Sequence, residues 1–229
     1  MAFSFEQGKK LHMVSGGCAR VGYIVLGMIS NNTYLIDDGE GGTIVVDPST
    51  HPDTILEAAG GNVSALLVTH GHFDHVGALG DLRARTGAPV FASVIDTPLV
   101  EHPQAGWHGI KVDACPVDHQ LQDGDETVIG RLVLKLLLTP GHTPGSACYL
   151  IEPSGGTEAS GAPMLFSGDT LFCNSVGRTD FEGGSMGDMR ASMRKLSHLS
   201  DDTIVLPGHN ELTTIGTERL RVIEALMHG

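Results

Sequence analysis

Short apolar stretches alternate with polar, glycine-containing segments along the whole chain. The apolar and β-branched residues at 21–29, 33–36 and 43–46 predict three strands, and the sequence DDGEGG before the last of them predicts a hairpin loop. Apolar stretches of the same length recur further along. These predict strands at 63–69, near 90, and at 132–138, 147–151, 164–166 and 204–206.

Helices are predicted between and after these strands. Proline near the start and two glycines after the end favour a short helix at 52–59, and a second helix is predicted at 74–85. Ser185 and Asp188 form a capping box that begins a third helix, and the last is predicted at 217–227. Strand-rich halves that are each followed by helices predict a mixed α/β (α+β) fold of two packed sheets with helices outside.

The whole-chain properties narrow the class of protein. A length of 229 residues suits one core, so we expect a single domain spanning 1–229. The formal charge of −13 argues against nucleic acid as a partner. No apolar run is long enough to span a membrane and the first residues do not look like a signal peptide, so we expect a cytoplasmic protein without membrane contact. The four cysteines are expected to be reduced, and the oligomeric state is left open.

Polar residues follow four of the predicted strands, in the sequences THGHFDH, PGH, SGD and PGH. A strand fixes the backbone of a ligand that follows it. His70 and His72 can converge on one ion, while Asp74 and His75 face a second. Imidazole and carboxylate ligands suit zinc, and also iron or manganese, so we expect two divalent ions with zinc as the first choice. The candidate metal ligands are His70, His72, Asp74, His75, His142, Asp169 and His209.

The other histidines are assigned to the surface or the core, although the loop with His102 and His108 is a candidate border of a pocket.

The motif H-x-H-x-D-H, followed by an isolated His, an Asp and a final His, resembles the metallo-β-lactamase superfamily. This resemblance implies a four-layer αββα sandwich with the metals at one edge of the two sheets. It further implies that two ions share a water and lower its pKa toward about 7, which gives a hydroxide that attacks an acyl carbon. We assign Asp74 and Asp169 as the catalytic residues. The resemblance places His70, His72 and His142 on the first metal, Asp74, His75 and His209 on the second, and Asp169 between them.

Two segments resemble the glyoxalase II branch, and its short bacterial members in particular. They are SGDTLFCNSVGRTDFEGG at 167–184 and PGHNELTTIGTER at 207–219. This similarity implies hydrolysis of S-lactoylglutathione or a similar small thioester, with Arg178 as a contact for a substrate anion. An ordinary salt bridge within the loop is the alternative role for Arg178. Full-length glutathione thioesterases continue into a C-terminal helical domain that we do not expect here, so the selection of glutathione is left open.

A persulfide dioxygenase is the alternative function. This group resembles the chain in the segment GRTDF and uses a single iron, for which His70, His142 and Asp169 would be the ligands. The sequence DHVG at 74–77 and the later TTIG favour the hydrolase instead. Lactamase and nuclease activities are less favoured, because Asp169 stands where one lactamase branch has Cys and because nuclease members usually carry an extra domain.

Overall fold

The computed structural model describes residues 10–103, 111–153 and 161–228. Most predicted strands and helices are present, with ends that differ by a few residues. The strands are β1 (His12–Met13), β2 (Val21–Leu26), β3 (Asn31–Asp37), β4 (Thr43–Val46), β5 (Val63–Leu67), β6 (Val90–Ser93), β7 (His119–Leu121), β8 (Glu126–Ile129), β9 (Leu132–Leu138), β10 (Ala147–Ile151), β11 (Met164–Gly168), β12 (Leu171–Phe172), β13 (Ser175–Val176), β14 (Ile204–Pro207) and β15 (Thr213–Thr214). The helices are α1 (Pro52–Ala58), α2 (Phe73–Val76), α3 (Leu79–Thr86), α4 (Thr97–Glu101), α5 (Met186–Leu196), α6 (Ile215–Glu218) and α7 (Glu224–His228), with a wider π-helical turn at Arg219–Ile223.

The described strands form two large mixed sheets and a separate two-stranded sheet of β12 and β13. The first sheet has the order β1-β2-β3-β4-β5-β6-β7, antiparallel up to β4 and parallel from there on. The second sheet has the order β15-β14-β11-β10-β9-β8, in which β11 and β14 are parallel. The two sheets meet at one end, where Asn32 N–H donates to the Gly208 carbonyl at 2.7 Å.

Three apolar clusters show how the layers pack. The inner faces of the two sheets enclose one cluster, which includes Tyr34 and Phe166. A second cluster joins the first sheet to α1 and α3, and a third joins the second sheet to α5 and the C-terminal helices. The order is therefore helices, sheet, sheet, helices, which confirms the predicted αββα sandwich.

One predicted helix is divided in two. The sequence predicts a continuous helix at 74–85, whereas α2 ends at Val76 and α3 begins at Leu79. The Ala78 N–H donates to the carbonyl of Pro48 at 2.9 Å, which lies outside the helix. This contact with a distant loop replaces an intrahelical hydrogen bond, and it accounts for the break.

None of the helices within the described ranges combines the length and apolar character that crossing a membrane requires. The cytoplasmic location stays a prediction.

All four cysteines are free thiols and differ in accessibility. Cys115 and Cys148 are buried, and burial raises the pKa of each to about 11. Cys18 and Cys173 are partly exposed. Because thiolate is the reacting form, we expect a thiol reagent at pH 8 to label Cys18 and Cys173 in the native protein. Mass spectrometry after labelling checks this, with the denatured chain as the control that labels at all four positions. Rapid native labelling of Cys148 would contradict the packing described here.

Candidate metal centre

The seven candidate ligands lie together at the edge where the two sheets meet. His70 and His72 follow β5, and Asp74 and His75 lie in α2 directly after them. The second sheet supplies the others at three strand ends: His142 after β9, Asp169 after β11 and His209 after β14. The fold thus brings together every residue that the sequence analysis proposed as a metal ligand.

The ligand atoms form overlapping groups. Atoms of His70, His72 and His142 lie within 4.8 Å of one another, and so do atoms of Asp74, His75 and His209. Within the first group, His72 Nδ1 is 2.8 Å from His142 Nε2. Within the second, His75 Nε2 is 3.4 Å and His209 Nε2 is 3.3 Å from Asp74 Oδ2. A third such group, of His70, His75 and Asp169, joins these two, so the donor set forms two adjacent clusters that are each of a size suited to one ion.

Asp169 lies between the two groups. Its Oδ2 atom is 3.5 Å from His142 Nε2 on one side and 3.7 Å from His209 Nε2 on the other. Its Oδ1 atom is 3.3 Å from His75 Nε2. A carboxylate with this placement is within reach of ligands from both groups.

Hydrogen bonds hold several of the imidazole rings in place. His142 Nδ1 donates to the carbonyl of Arg178 at 2.7 Å, and His209 Nδ1 donates to the carbonyl of Ile29 at 3.0 Å. Because a carbonyl can only accept, Nδ1 carries hydrogen in both rings, and a neutral ring then presents the Nε2 lone pair to the centre. His75 Nδ1 lies 2.9 Å from the carboxylate of Asp47, which orients that ring in the same way.

Asp47 was missed in the sequence analysis, although its position directly after β4 was an available signal. The residue is buried and also accepts hydrogen bonds from the Thr69 N–H at 2.8 Å and the Thr69 hydroxyl at 2.7 Å. Asn31 was missed as well, and its side-chain amide donates to Asp74 at 2.9 Å. Both residues orient candidate ligands from the first sheet.

Three buried atoms of the centre indicate that a cation fits there. His70 Nε2, His75 Nε2 and Asp169 Oδ1 are buried and lack a hydrogen-bond partner within the described structure. Leaving such an atom unsatisfied costs about 1–3 kcal/mol. Cations held by the two groups would satisfy these atoms. The donor set of imidazole nitrogens and carboxylate oxygens therefore fits divalent metal ions.

Burial and charge divide the histidines of the centre into two kinds. Burial, followed by the neighbouring histidines, lowers the pKa of His70, and burial and His142 lower that of His72 to about 4. Burial also opposes charge on His75, but Asp74, Asp169 and Asp47 outweigh it and raise the pKa of that ring. His70 and His72 therefore offer neutral imidazoles to an ion.

The carboxylates of the centre are ionised. Burial opposes ionisation of Asp74 and Asp169, but His75 and His209 outweigh it and lower the pKa of both groups. Burial lowers the pKa of His209, but the hydrogen bond to Asp74 outweighs burial, and the pKa of His209 is raised. The second group thus has carboxylate charge that a bound cation can neutralise in place of protons.

The backbone carbonyl of Arg178 contacts the centre at His142, while its side chain binds within its own loop. Its guanidinium binds Asp180 through two hydrogen bonds of 2.9 and 2.7 Å and lies 4.3 Å from the centre of the Phe181 ring. The side chain is 60% exposed, so solvent and ligands can reach it. Phe181 packs edge-on against His72 and His142. Among the histidines assigned elsewhere, His102 is exposed at the end of α4, and His108 lies outside the described residues.

Relatives of similar length share about a third of their residues with this chain. An uncharacterized protein of Aquifex aeolicus is 36% identical over 86% of this chain and 92% of its own length. A probable metallo-hydrolase of Bacillus subtilis (YqgX) is 35% identical over 85% of this chain and 92% of its own length. The hydroxyacylglutathione hydrolase GloC of Haemophilus influenzae is 34% identical over 82% of this chain and 89% of its own length.

Solved structures with the same fold carry several functional descriptions. The B3 metallo-beta-lactamase BLEG-1 superposes with a TM-score of 0.79 at 31% identity, covering 91% of this chain and all (100%) of its own. TTHA1623, solved in a di-iron-bound form, superposes with a TM-score of 0.73 at 32% identity, covering 87% of this chain and 98% of its own. ETHE1 from Myxococcus xanthus superposes with a TM-score of 0.66 at 28% identity, covering 97% of this chain and 89% of its own.

The sequence model of one family matches residues 26–209, a span that contains all seven candidate ligands. The fold and the relatives agree with this match, and the predicted family is thereby confirmed. The chain belongs to the metallo-beta-lactamase superfamily.

Proposed function

We propose that this metal-dependent hydrolase is a dinuclear thioesterase that acts on S-lactoylglutathione or a similar small acyl-thioester. The observation that carries the proposal is the position of Asp169 between two groups of ligands, because that arrangement suits two adjacent ions. The glyoxalase-II-like segments 167–184 and 207–219 and the similarity to the hydroxyacylglutathione hydrolase GloC support the thioester as substrate.

We assign the ligands as the sequence analysis did. His70, His72 and His142 would hold the first ion, Asp74, His75 and His209 would hold the second, and Asp169 would contribute to both; zinc is the first choice of metal. Two divalent ions held there supply Lewis acidity for a thioester carbonyl and a water nucleophile that is ionised near neutral pH.

The chain's own residues fix the geometry of the reaction. Asp74 and Asp169 are the proposed catalytic residues, and their lowered pKa values keep both carboxylates ionised as acceptors for the attacking water. The Asn31 amide holds the orientation of Asp74. Water adds to the acyl carbon, the carbon–sulfur bond breaks, and the released proton balances the charge of the leaving thiolate. The products are a carboxylic acid and a thiol.

Metal content and turnover test this proposal together. Protein purified without added metal is analysed for metals and assayed with S-lactoylglutathione, with nitrocefin as a lactam control. About two metal ions per chain with thioester turnover and little lactam turnover is the expected result. Lactam hydrolysis that exceeds thioester hydrolysis would overturn the substrate assignment, and a single bound ion would overturn the dinuclear assignment.

Arg178 is proposed as a contact for a substrate anion. Its guanidinium is exposed beside the centre and is held by an exposed partner, Asp180, which a substrate carboxylate can replace. We expect Arg178→Ala to raise KM more than it lowers kcat, because such a contact is made equally in the ground state and the transition state. Steady-state kinetics with S-lactoylglutathione measure this.

Asp180→Asn is the matched variant, because it frees the guanidinium without removing it. We expect KM to fall or stay unchanged in this variant. A loss confined to kcat in Arg178→Ala, or equal increases of KM in both variants, would instead assign the pair to an ordinary salt bridge within the loop.

A persulfide dioxygenase with a single iron remains the second candidate. The segment GRTDF and the similarity to ETHE1 favour it. In that case His70, His142 and Asp169 would hold the iron. Oxygen uptake with glutathione persulfide, together with one iron per chain and no thioester hydrolysis, would replace the thioesterase proposal.

A further inference from the structure

Asp96 is a buried carboxylate outside the proposed ligand set. It lies between β6 and α4 and is 1% exposed. Its oxygens accept three hydrogen bonds: from Gly71 N–H at 2.9 Å, Thr143 Oγ1 at 2.8 Å and Gly145 N–H at 2.8 Å. Burying a carboxylate is costly without compensation, so these donors are required to hold it in place.

The three donors belong to the two loops that carry the proposed ligands of the first ion. Gly71 lies between His70 and His72, in the loop that follows β5 of the first sheet. Thr143 directly follows His142, and Gly145 lies in the same loop after β9 of the second sheet. One carboxylate therefore joins segments from both sheets at the positions next to all three histidines.

The close packing around Asp96 leaves little room for the loops to shift. A Cβ atom on Gly71 would overlap Leu99 of α4, and one on Gly145 would overlap the backbone nitrogen of Asp96. Ser93 adds a second connection, since its hydroxyl donates to the Gly145 carbonyl at 2.6 Å and accepts from Asp96 N–H at 3.1 Å. Glycine at both positions lets the two loops approach the turn closely enough for these hydrogen bonds.

We propose that Asp96 is a positioning residue that sets the spacing between His142 and the His70–His72 loop, and thereby the affinity of the first metal site. Among the described residues, the carboxylate accepts its hydrogen bonds from the backbone beside the proposed ligands and from the Thr143 hydroxyl, not from the ligands themselves. Three imidazoles bind one ion tightly only when their separation is fixed. The inference therefore rests on the proposed metal ligands and does not depend on the substrate.

Asp96→Asn tests this role with little change of shape. An amide presents N–H groups where a carboxylate oxygen accepted, so one hydrogen bond becomes a contact between two donors. We expect one of the two zinc equivalents to bind roughly 10- to 100-fold more weakly, as is typical when an outer hydrogen-bond partner of a ligand is lost. Competition with a chromophoric chelator measures the affinity, and the cobalt(II) visible spectrum reports the altered geometry of the first site.

Asp118→Asn is the matched control. Asp118 also accepts a main-chain N–H, from Val90 at 2.9 Å, but it pairs with Arg83 and contacts neither ligand loop. We expect wild-type zinc affinity and an unchanged cobalt spectrum in this variant.

Thr143→Val supplies a second test if Asp96→Asn fails to fold. This change removes one of the three donors and keeps the shape of the side chain, so we expect a smaller loss at the same site. A folded variant at either position with both zinc equivalents at wild-type affinity and an unchanged cobalt spectrum would overturn the proposal. No substrate enters these measurements, so their outcome is independent of whether the protein hydrolyses thioesters.

Discussion

Replacing Asp169 with alanine is expected to abolish hydrolysis and to remove most of one metal equivalent. Asp169 is buried and lies within 3.7 Å of proposed ligands in both groups. Without Asp169, two ions at these groups would lose the carboxylate that lies between them. We expect kcat/KM to fall by more than the roughly 10- to 100-fold caused by losing a hydrogen-bond partner of a ligand. Elemental analysis and a thioester assay on the same sample measure both losses.

His72→Ala is expected to give the same combined result through the first site, because His72 Nδ1 faces His142 Nε2 directly. Asp202→Ala is the control for both variants, since Asp202 is exposed in a turn before β14. Turnover at the wild-type level in either ligand variant, with an unchanged circular dichroism spectrum, would contradict the proposal of a two-metal hydrolase.

Replacing Phe166 with alanine is expected to cause the largest loss of stability. Phe166 is 0% exposed between the two sheets, and its ring packs edge-on against Tyr34 at 5.4 Å between centroids. Removing a fully buried phenyl ring costs about 3–5 kcal/mol through lost apolar burial and the cavity left behind. Urea unfolding at a fixed excess of metal measures the free energy of unfolding.

Val128→Ala is the control for this prediction. Val128 lies on the outer strand of the second sheet and is 71% exposed, so we expect its free energy of unfolding to change by no more than about 0.5 kcal/mol. Similar small losses in both variants would show that the two sheets do not share the core described above.

The local sequence alone determined the strands that consist of one uninterrupted apolar stretch. Thr43–Val46, Leu132–Leu138 and Ala147–Ile151 are strands with the predicted ends, because each is a compact apolar stretch between polar turns. Ser185 caps α5 as predicted, accepting from the Asp188 N–H. The candidate ligands were also visible in the sequence, because side chains of metal-binding type occur together at or shortly after the ends of predicted strands.

Tertiary structure decided what depends on contacts between distant segments. The division between α2 and α3 follows from a hydrogen bond to Pro48, and no local pattern at 74–85 reveals it. The predicted C-terminal helix is also interrupted, by a wider turn at Arg219–Ile223, where the Arg219 side chain donates to the carbonyls of Ser197 and Leu199.

Asp47 and Asp96 show the same dependence at the metal centre. In the sequence each is an ordinary acidic residue after a strand, as solvated aspartates often are. Only the packing of the two sheets buries them and brings His75, Gly71 and Thr143 within hydrogen-bonding distance. The sequence thus identified the residues that can bind metal, while the fold selected the residues that hold them in position, because the role of a buried carboxylate depends on donors far away along the chain.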